Sequence, residues 1–237
     1  MDIEDILQEF ENSALAQNRA SEPAITSRLV RAMFNERMAP ELLPYQHELM
    51  RQVLDALTAQ QQFLLDSHEY GDLNAALGVI LGDFKLQLMI VETEVERLNY
   101  LVRSYLRLRL AKLDKYNVYY VQLESASQKS NNDKKPLLSS EEAEYIHEHF
   151  KILTQLYNAS FLKRMPHFLT LLDDISGGQL MVVEPNLNQP VFVRVLSTNP
   201  VTVRTRDEIL ELERGSIYVV NYRLVSRYIQ IGDIGLI

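Results

Sequence analysis

Among the 237 residues, those whose types could do chemistry are five histidines, one pair of adjacent aspartates and a run of arginines. His147 and His149 flank Glu148 as HEH, a set of metal-ligand types. On a helix, positions two apart point about 200° from each other, whereas one ion needs ligands at i and i+4. HEH therefore reads as solvated surface and not as a metal site. Asp173 and Asp174 follow a helical stretch, where adjacent acids serve as a solvated cap more often than as an acid–base pair. The chain holds no GxSxG nucleophile turn, no Walker loop and no GxGxxG after a strand. Zero cysteines remove disulfides, thiolate nucleophiles and cysteine-held zinc or iron–sulfur clusters, and make an intracellular compartment the default. No catalytic residue, metal or cofactor is expected, and the chain is not expected to be an enzyme.

A second chemistry is open to Arg97, Arg103, Arg107, Arg109, Lys112 and Lys115, which share one glycine-free stretch and could meet phosphates. Glu92, Glu94, Glu96 and Asp114 sit among them, and Glu94 to Arg97 is a helical ion-pair spacing. Phosphate neutralisation needs a surplus of cations on some face, and the formal charge of the chain is −8. The stripe reads first as an ion-paired surface or a subunit interface. A DNA-contacting face built on Arg103, Arg107 and Arg109 stands as the alternative. Tyr100, Tyr105, Tyr116, Tyr119 and Tyr120 are more tyrosines than one core face buries, and interfaces favour tyrosine.

The opening MDIEDILQEF carries binding chemistry of another kind. Ile3, Ile6, Leu7 and Phe10 fall at i, i+3, i+4 and i+7, one apolar stripe among Asp2, Glu4, Asp5 and Glu9. An isolated helix shorter than roughly 12 residues is marginal in water, so the stripe needs a surface to lie against. ENSALAQNRAS, residues 11–21, is small and polar and reads as a tether.

These residues need elements to hold them. ITSRLVRAMFNERM, from Ile25, places Ile25, Leu29, Ala32, Met33 and Glu36 on one helical face and stops at Pro40. APELLPY is an extended turn expected to pack Leu42, Leu43 and Tyr45. A helix from near Gln46 then puts Leu49, Val53, Leu57 and Leu64 on one face. From Phe84 to Leu123 no Gly or Pro interrupts a stripe of Leu88, Val91, Val95, Leu98, Val102, Tyr105, Leu108, Leu113, Tyr116 and Tyr120. This predicts one helix of about 40 residues and about 60 Å. A helix that long outgrows its own domain and suggests a spine shared with other helices. SASQKSNNDKKP is a solvated loop, and Ser139 or Ser140 with the glutamates behind it caps a further helix to about Met165.

After Gly177-Gly178, VFVRV, VTVRT and GSIYVVNY read as short strands of a β-domain of about 60 residues, at the lower limit for a core of its own. The last residues, Ile234, Leu236 and Ile237, read either as a final strand of that domain or as a contact with another subunit. The fold class is mainly α with a small C-terminal β-domain. A docking peptide and tether occupy 1–22, a helical domain with one very long helix 23–176, and the β-domain 177–237. No apolar run reaches the roughly 20 residues of a membrane span, and the acidic start lacks a signal-peptide layout. No membrane contact is expected.

NERMAPELLPY (35–45), ETEVERLNYLVRSYLRLRLAKLDKY (92–116) and GSIYVVNY with a terminal LI (215–222, 236–237) resemble the Sld-five subunit of the eukaryotic GINS complex. The resemblance covers most of the chain in that family's order. It implies a nuclear, non-catalytic subunit of a heterotetramer in DNA replication, with helical domains side by side around long spines and small β-domains bracing the assembly. It implies three other GINS subunits as partners and, within the replicative helicase, the Mcm ring and a RecJ-like companion. EDILQEF is similar to the short acidic–hydrophobic helix with which fungal members dock on a trimeric replisome adaptor of the Ctf-four/And-one type. Ile3, Asp5, Ile6, Leu7 and Phe10 are the expected docking residues. Inter-subunit contacts are expected from Arg103, Tyr105, Arg107, Leu108, Tyr116, Tyr218, Leu236 and Ile237, and tight direct DNA binding is not expected. Read without the resemblance, the same features also suit a structural subunit of some other helical assembly.

Overall fold

The computed structural model describes residues 24–76, 82–129, 136–166, 182–204 and 209–237. Helix α1 (Ile25–Met38) turns Leu29 and Glu36 inward, leaves Ile25 exposed, and ends where Pro40 holds Ala39 in extended backbone (φ −68°, ψ 134°). The loop 39–46 leads into α2 (His47–Ala76). Leu49, Val53, Leu57 and Leu64 of α2 form one core with Leu29 and with Leu88, Val95, Val102 and Tyr105 of α3 (Gly82–Lys115). The 34 residues of α3 make it about 51 Å long.

The single helix predicted over Phe84–Leu123 is in fact two. α3 ends at Lys115, Tyr116 forms a turn, and α4 (Asn117–Lys129) follows. Asn117 supplies the physical reason. Its side chain is buried, donating from Nδ2 to the Ile146 carbonyl (3.3 Å) and lying 3.1 Å from His149 Nδ1. Asparagine favours helix ends because its amide competes with the backbone for partners. Those partners sit on α5 (Ser140–Ser160), which starts on a capping box: Ser139 Oγ accepts from the Glu142 N–H (3.1 Å), and Glu142 Oε2 accepts from the Ser139 N–H (3.0 Å). The helix stops short of the predicted Met165, and a 3₁₀ turn follows (Leu162–Arg164). Leu42, Leu113, Tyr120 and Ile146 make a second core that ties the loop to α3, α4 and α5.

The C-terminal part holds β1 (Pro190–Val195), β2 (Val201–Arg204), β3 (Ile209–Leu212), β4 (Ile217–Asn221) and β5 (Ile234–Leu236). The order is β4–β1–β5, all antiparallel, with β2 and β3 paired separately. Val191, Val193 and Val195 point inward and Phe192 and Arg194 outward, as the alternation in VFVRV requires. One helix stands where only strands were expected. In α6 (Tyr222–Ile231), Tyr222, Val225 and Ile229 fall at i, i+3 and i+7 and are all buried, so the stripe overrides a β-rich composition. Gly232 ends it at φ 96°, its N–H donating to the Tyr228 carbonyl (3.0 Å).

Strand β5 belongs to the chain's own fold. Ile234 and Leu236 lie in the β-domain core, which also takes in Ala39 and Leu43 from the loop after α1. Burial of these loop residues is the support that so small a domain needs. The docking peptide and tether, and the Asp173-Asp174 pair, lie outside the described residues.

Candidate assembly surface

Arg109 sits at the meeting point of α1, the loop, α3 and α5, with none of its side chain exposed. A guanidinium has five N–H donors in a planar fork, and each one is used here. Nε donates to Glu142 Oε1 (2.7 Å) and Nη2 to Glu142 Oε2 (2.9 Å), a bidentate pair; Nη2 also reaches the Leu137 carbonyl (3.1 Å). Nη1 donates to Glu36 Oε2 (3.0 Å) and to the Leu43 carbonyl (2.7 Å). The rings of Tyr45 and Tyr105 lie 5.1 and 5.7 Å from the guanidinium carbon, close enough for a cation–π contribution. Lys112, one turn later, donates Nζ to Glu36 Oε1 (2.7 Å), to the Glu41 carbonyl (2.8 Å) and to the Glu36 carbonyl. Two cations thus face two carboxylates.

The loop is the common receiver. The Leu42 N–H donates to the Tyr120 hydroxyl (2.9 Å), and Glu41 Oε1 accepts from the Tyr222 hydroxyl (2.7 Å), which carries the contact into the β-domain. Burial raises the Glu41 carboxyl despite that hydrogen bond, and burial lowers the Lys112 ammonium while Glu36 pulls the other way. Burial likewise pushes the Tyr105 hydroxyl up to about 12, against the influence of Arg109, and raises Tyr120 and Tyr222.

These positions revise several expectations. Tyr105 and Leu236, expected at inter-subunit contacts, are buried in the chain's own two cores. Arg109 and Lys112 point inward, which removes them from any DNA-facing stripe and leaves Arg103 and Arg107 exposed. Arg97 pairs with Glu94 at 2.6 Å, as the spacing suggested. Leu108 and Tyr116 are half-buried, Tyr218 packs against the β-domain core, and Ile237 is exposed with its N–H on the Phe192 carbonyl (3.1 Å). His147 Nε2 lies 2.8 Å from Glu124 Oε2, apart from His149, and no cluster of metal-ligating residues occurs among the described residues. Ile3, Asp5, Ile6, Leu7 and Phe10 lie outside them.

The outward face of α3 carries a signal that the core stripe hid. Leu86, Ile90 and Tyr100 are exposed at spacings of four and ten, with Met89 beside them. Read through Thr93 and Arg97, they form a second helical stripe at intervals of three and four. Phe63 of α2 borders it, and Phe63, Gln87, Leu88, Ile90 and Val91 line a groove of about 320 Å³. The stripe runs from apolar at its N-terminal end to basic at Arg103 and Arg107. Exposed apolar faces on a helix whose other side already fills a core are the kind of surface that interaction sites use.

Comparison with known proteins agrees with that geometry. The model of the GINS complex protein helical bundle domain matches residues 24–161, and that of the DNA replication complex GINS protein SLD5 C-terminus matches residues 185–237. This chain belongs to the GINS Sld5 family. A relative from Debaryomyces hansenii, described as DNA replication complex GINS protein SLD5, is 57% identical over 243 residues, covering 100% of this chain and 98% of the relative. Relatives of the same description from Yarrowia lipolytica (33% identical; 98% of this chain, 84% of the relative) and Saccharomyces cerevisiae (34%; 89% and 80%) are similar over most of their length. The two Sld5-family matches divide the chain where its helices give way to strands.

Arg109→Met leaves Glu36 and Glu142 buried without their forked donor, and is expected to cost about 3 to 5 kcal/mol of stability, read from chemical denaturation. A loss under about 1 kcal/mol would mean that the cluster is solvated in solution. The buried tyrosines give a pH test. A phenol held above its unfolded value of about 10 lends stability that is whole below pH 10 and is lost as the pH climbs from 10 to 12. Phenolate absorbance from Tyr105, Tyr120 and Tyr222 is expected to appear together with loss of helical dichroism. Reversible titration of all 12 tyrosines with helicity intact would contradict their burial.

Proposed function

We propose that this chain is a non-catalytic structural subunit of the heterotetrameric GINS complex. In this reading it works in the nucleus, within the replicative DNA helicase assembly, in the initiation and elongation of chromosomal replication. The observation that supports this best is the second stripe on α3, an exposed apolar face of Leu86, Met89, Ile90 and Tyr100 on a helix whose other face already fills the core. Three sibling GINS subunits are its partners. The Mcm ring and a RecJ-like companion are met through the assembled complex.

The N-terminal ten residues are a separate docking device for a trimeric adaptor of the Ctf-four/And-one type. Burying Ile3, Ile6, Leu7 and Phe10 at roughly 1.5 to 3 kcal/mol each gives about 6 to 12 kcal/mol gross, against an association cost of about 4 to 15. One such peptide binds weakly, and a trimeric hub that holds several raises its occupancy through effective concentration.

Co-expression with the three siblings, followed by native mass measurement, tests the assembly. Wild-type chain should give a four-chain complex, and Leu86→Asp with Ile90→Asp should abolish it while leaving the chain's own helicity unchanged, since both side chains are exposed. A stoichiometric complex from the double variant would remove α3 from the interface. For the docking peptide, Ile6→Ala with Leu7→Ala should eliminate adaptor binding in fluorescence anisotropy and leave tetramer assembly intact. Loss of assembly instead would show that the stripe packs within GINS.

A further inference from the structure

The sheet β4–β1–β5 has two edges, and they are finished differently. Antiparallel strands exchange N–H···O bonds at alternate positions, so every second residue of an edge strand aims its backbone groups away from the sheet. On the β5 side, the Leu196 N–H donates to the Asp233 carbonyl (2.8 Å) and the Ile237 N–H to the Phe192 carbonyl (3.1 Å), which turns Ile234 and Leu236 to the edge. That edge is covered: the Leu236 N–H donates to Asn35 Oδ1 of α1 (2.8 Å).

On the β4 side, the Val195 N–H donates to the Ser216 carbonyl (3.3 Å) and the Tyr222 N–H to the Gln189 carbonyl (3.0 Å). Ser216, Tyr218, Val220 and Tyr222 therefore face β1, and the N–H and C=O groups of Ile217 and Val219 face outward. They have no hydrogen-bond partner among the described residues. Natural edge strands are blunted by charge, proline, a bulge or a covering element. IYVVN carries no charge and no proline. Its exposed side chains are apolar as well: Ile217 is 55% and Val219 58% exposed, and Phe192, cross-strand from Val219, is 58% exposed. Arg194, cross-strand from Ile217, and Arg214, in the preceding turn, have no ion pair among the described residues.

We propose that β4 is a docking edge to which another subunit of the GINS assembly adds an extended strand. Its alternate apolar side chains stand beside Ile217 and Val219 on the exposed face, and an acidic residue meets Arg194 or Arg214. Strand addition satisfies the outward backbone groups and gives Ile217 and Val219 apolar neighbours in the same step. This inference rests on the assembly reading above, and its test keeps the two apart.

The experiment is residue-resolved amide hydrogen exchange on the co-purified four-subunit complex, wild type against Val219→Pro. Proline at 219 removes an outward donor and no bond to β1, a placement that edge strands accept. In the wild-type complex the Ile217 and Val219 amides should exchange more than about tenfold slower than exposed turn amides. In the variant the Ile217 amide should lose that protection while the Tyr218 and Val220 amides keep theirs. If the proline disturbs the sheet, Val219→Lys, which retains every backbone bond, should expose the same amide. A wild-type complex that assembles but exchanges Ile217 and Val219 at turn rates overturns the docking edge and spares the assembly reading. A chain that joins no siblings overturns both.

Discussion

The Arg109 guanidinium gathers four segments of the chain around one buried charge on α3. An ion fully removed from water forfeits several kcal/mol of hydration, and the molecule recovers it only if the fork finds an acceptor at every donor. Here the acceptors come from α1, the loop after it, the segment before α5, and α5 itself. Because the fork is planar, those four segments are held at fixed separations from α3. Apolar packing could match the stability, but it tolerates more than one arrangement. Glu142 shows how closely the parts are shared, since the carboxylate that grips Arg109 also closes the capping box that starts α5.

What Arg109 fixes below, the loop hands on above. Leu42 faces the helical core and Leu43 the β-domain core, so two adjacent side chains join separate hydrophobic clusters. Glu41 takes the Tyr222 hydroxyl, and Asn35 closes the β5 edge. The β-domain is thereby finished on the side that meets its own helices and left open at β4. The same division holds for α3, which fills a core with one face and leaves a second stripe uncovered. Both uncovered faces are consistent with a chain whose last contacts are made by other subunits.

Much of this was legible in the sequence. Helical periodicity placed α1, the inward face of α2 and the buried stripe of α3, and S-S-E-E marked the start of α5, because those signals are local. The break at Tyr116 is hidden because one asparagine is a weak end signal inside a long apolar stripe, and the partners that bury Asn117, Ile146 and His149, come from α5. α6 was hidden because YRLVSRYIQI has strand composition, although its period of three and four was present. The ion cluster left a faint trace, Glu36 on the apolar face of α1. Its partners Arg109 and Lys112 read as surface, because nothing in a linear stretch tells an inward cation from an outward one. Tyr105 and Leu236 read as interface residues for the converse reason: apolar positions in a sequence do not say whose core they fill.

The Arg109 cluster holds the β-domain in place through the loop. The Leu236 amide, bonded to Asn35 across that junction, is its most direct reporter. Hydrogen exchange of this amide should be compared between wild type and Arg109→Lys, which keeps the charge but has three donors in place of the five-donor fork. Faster exchange is expected at Leu236, with the amides of the β2–β3 pair unchanged. Exchange at Leu236 that stays at the wild-type rate while α1 and α5 loosen would contradict it, and would show that the β-domain holds its position without the buried ions.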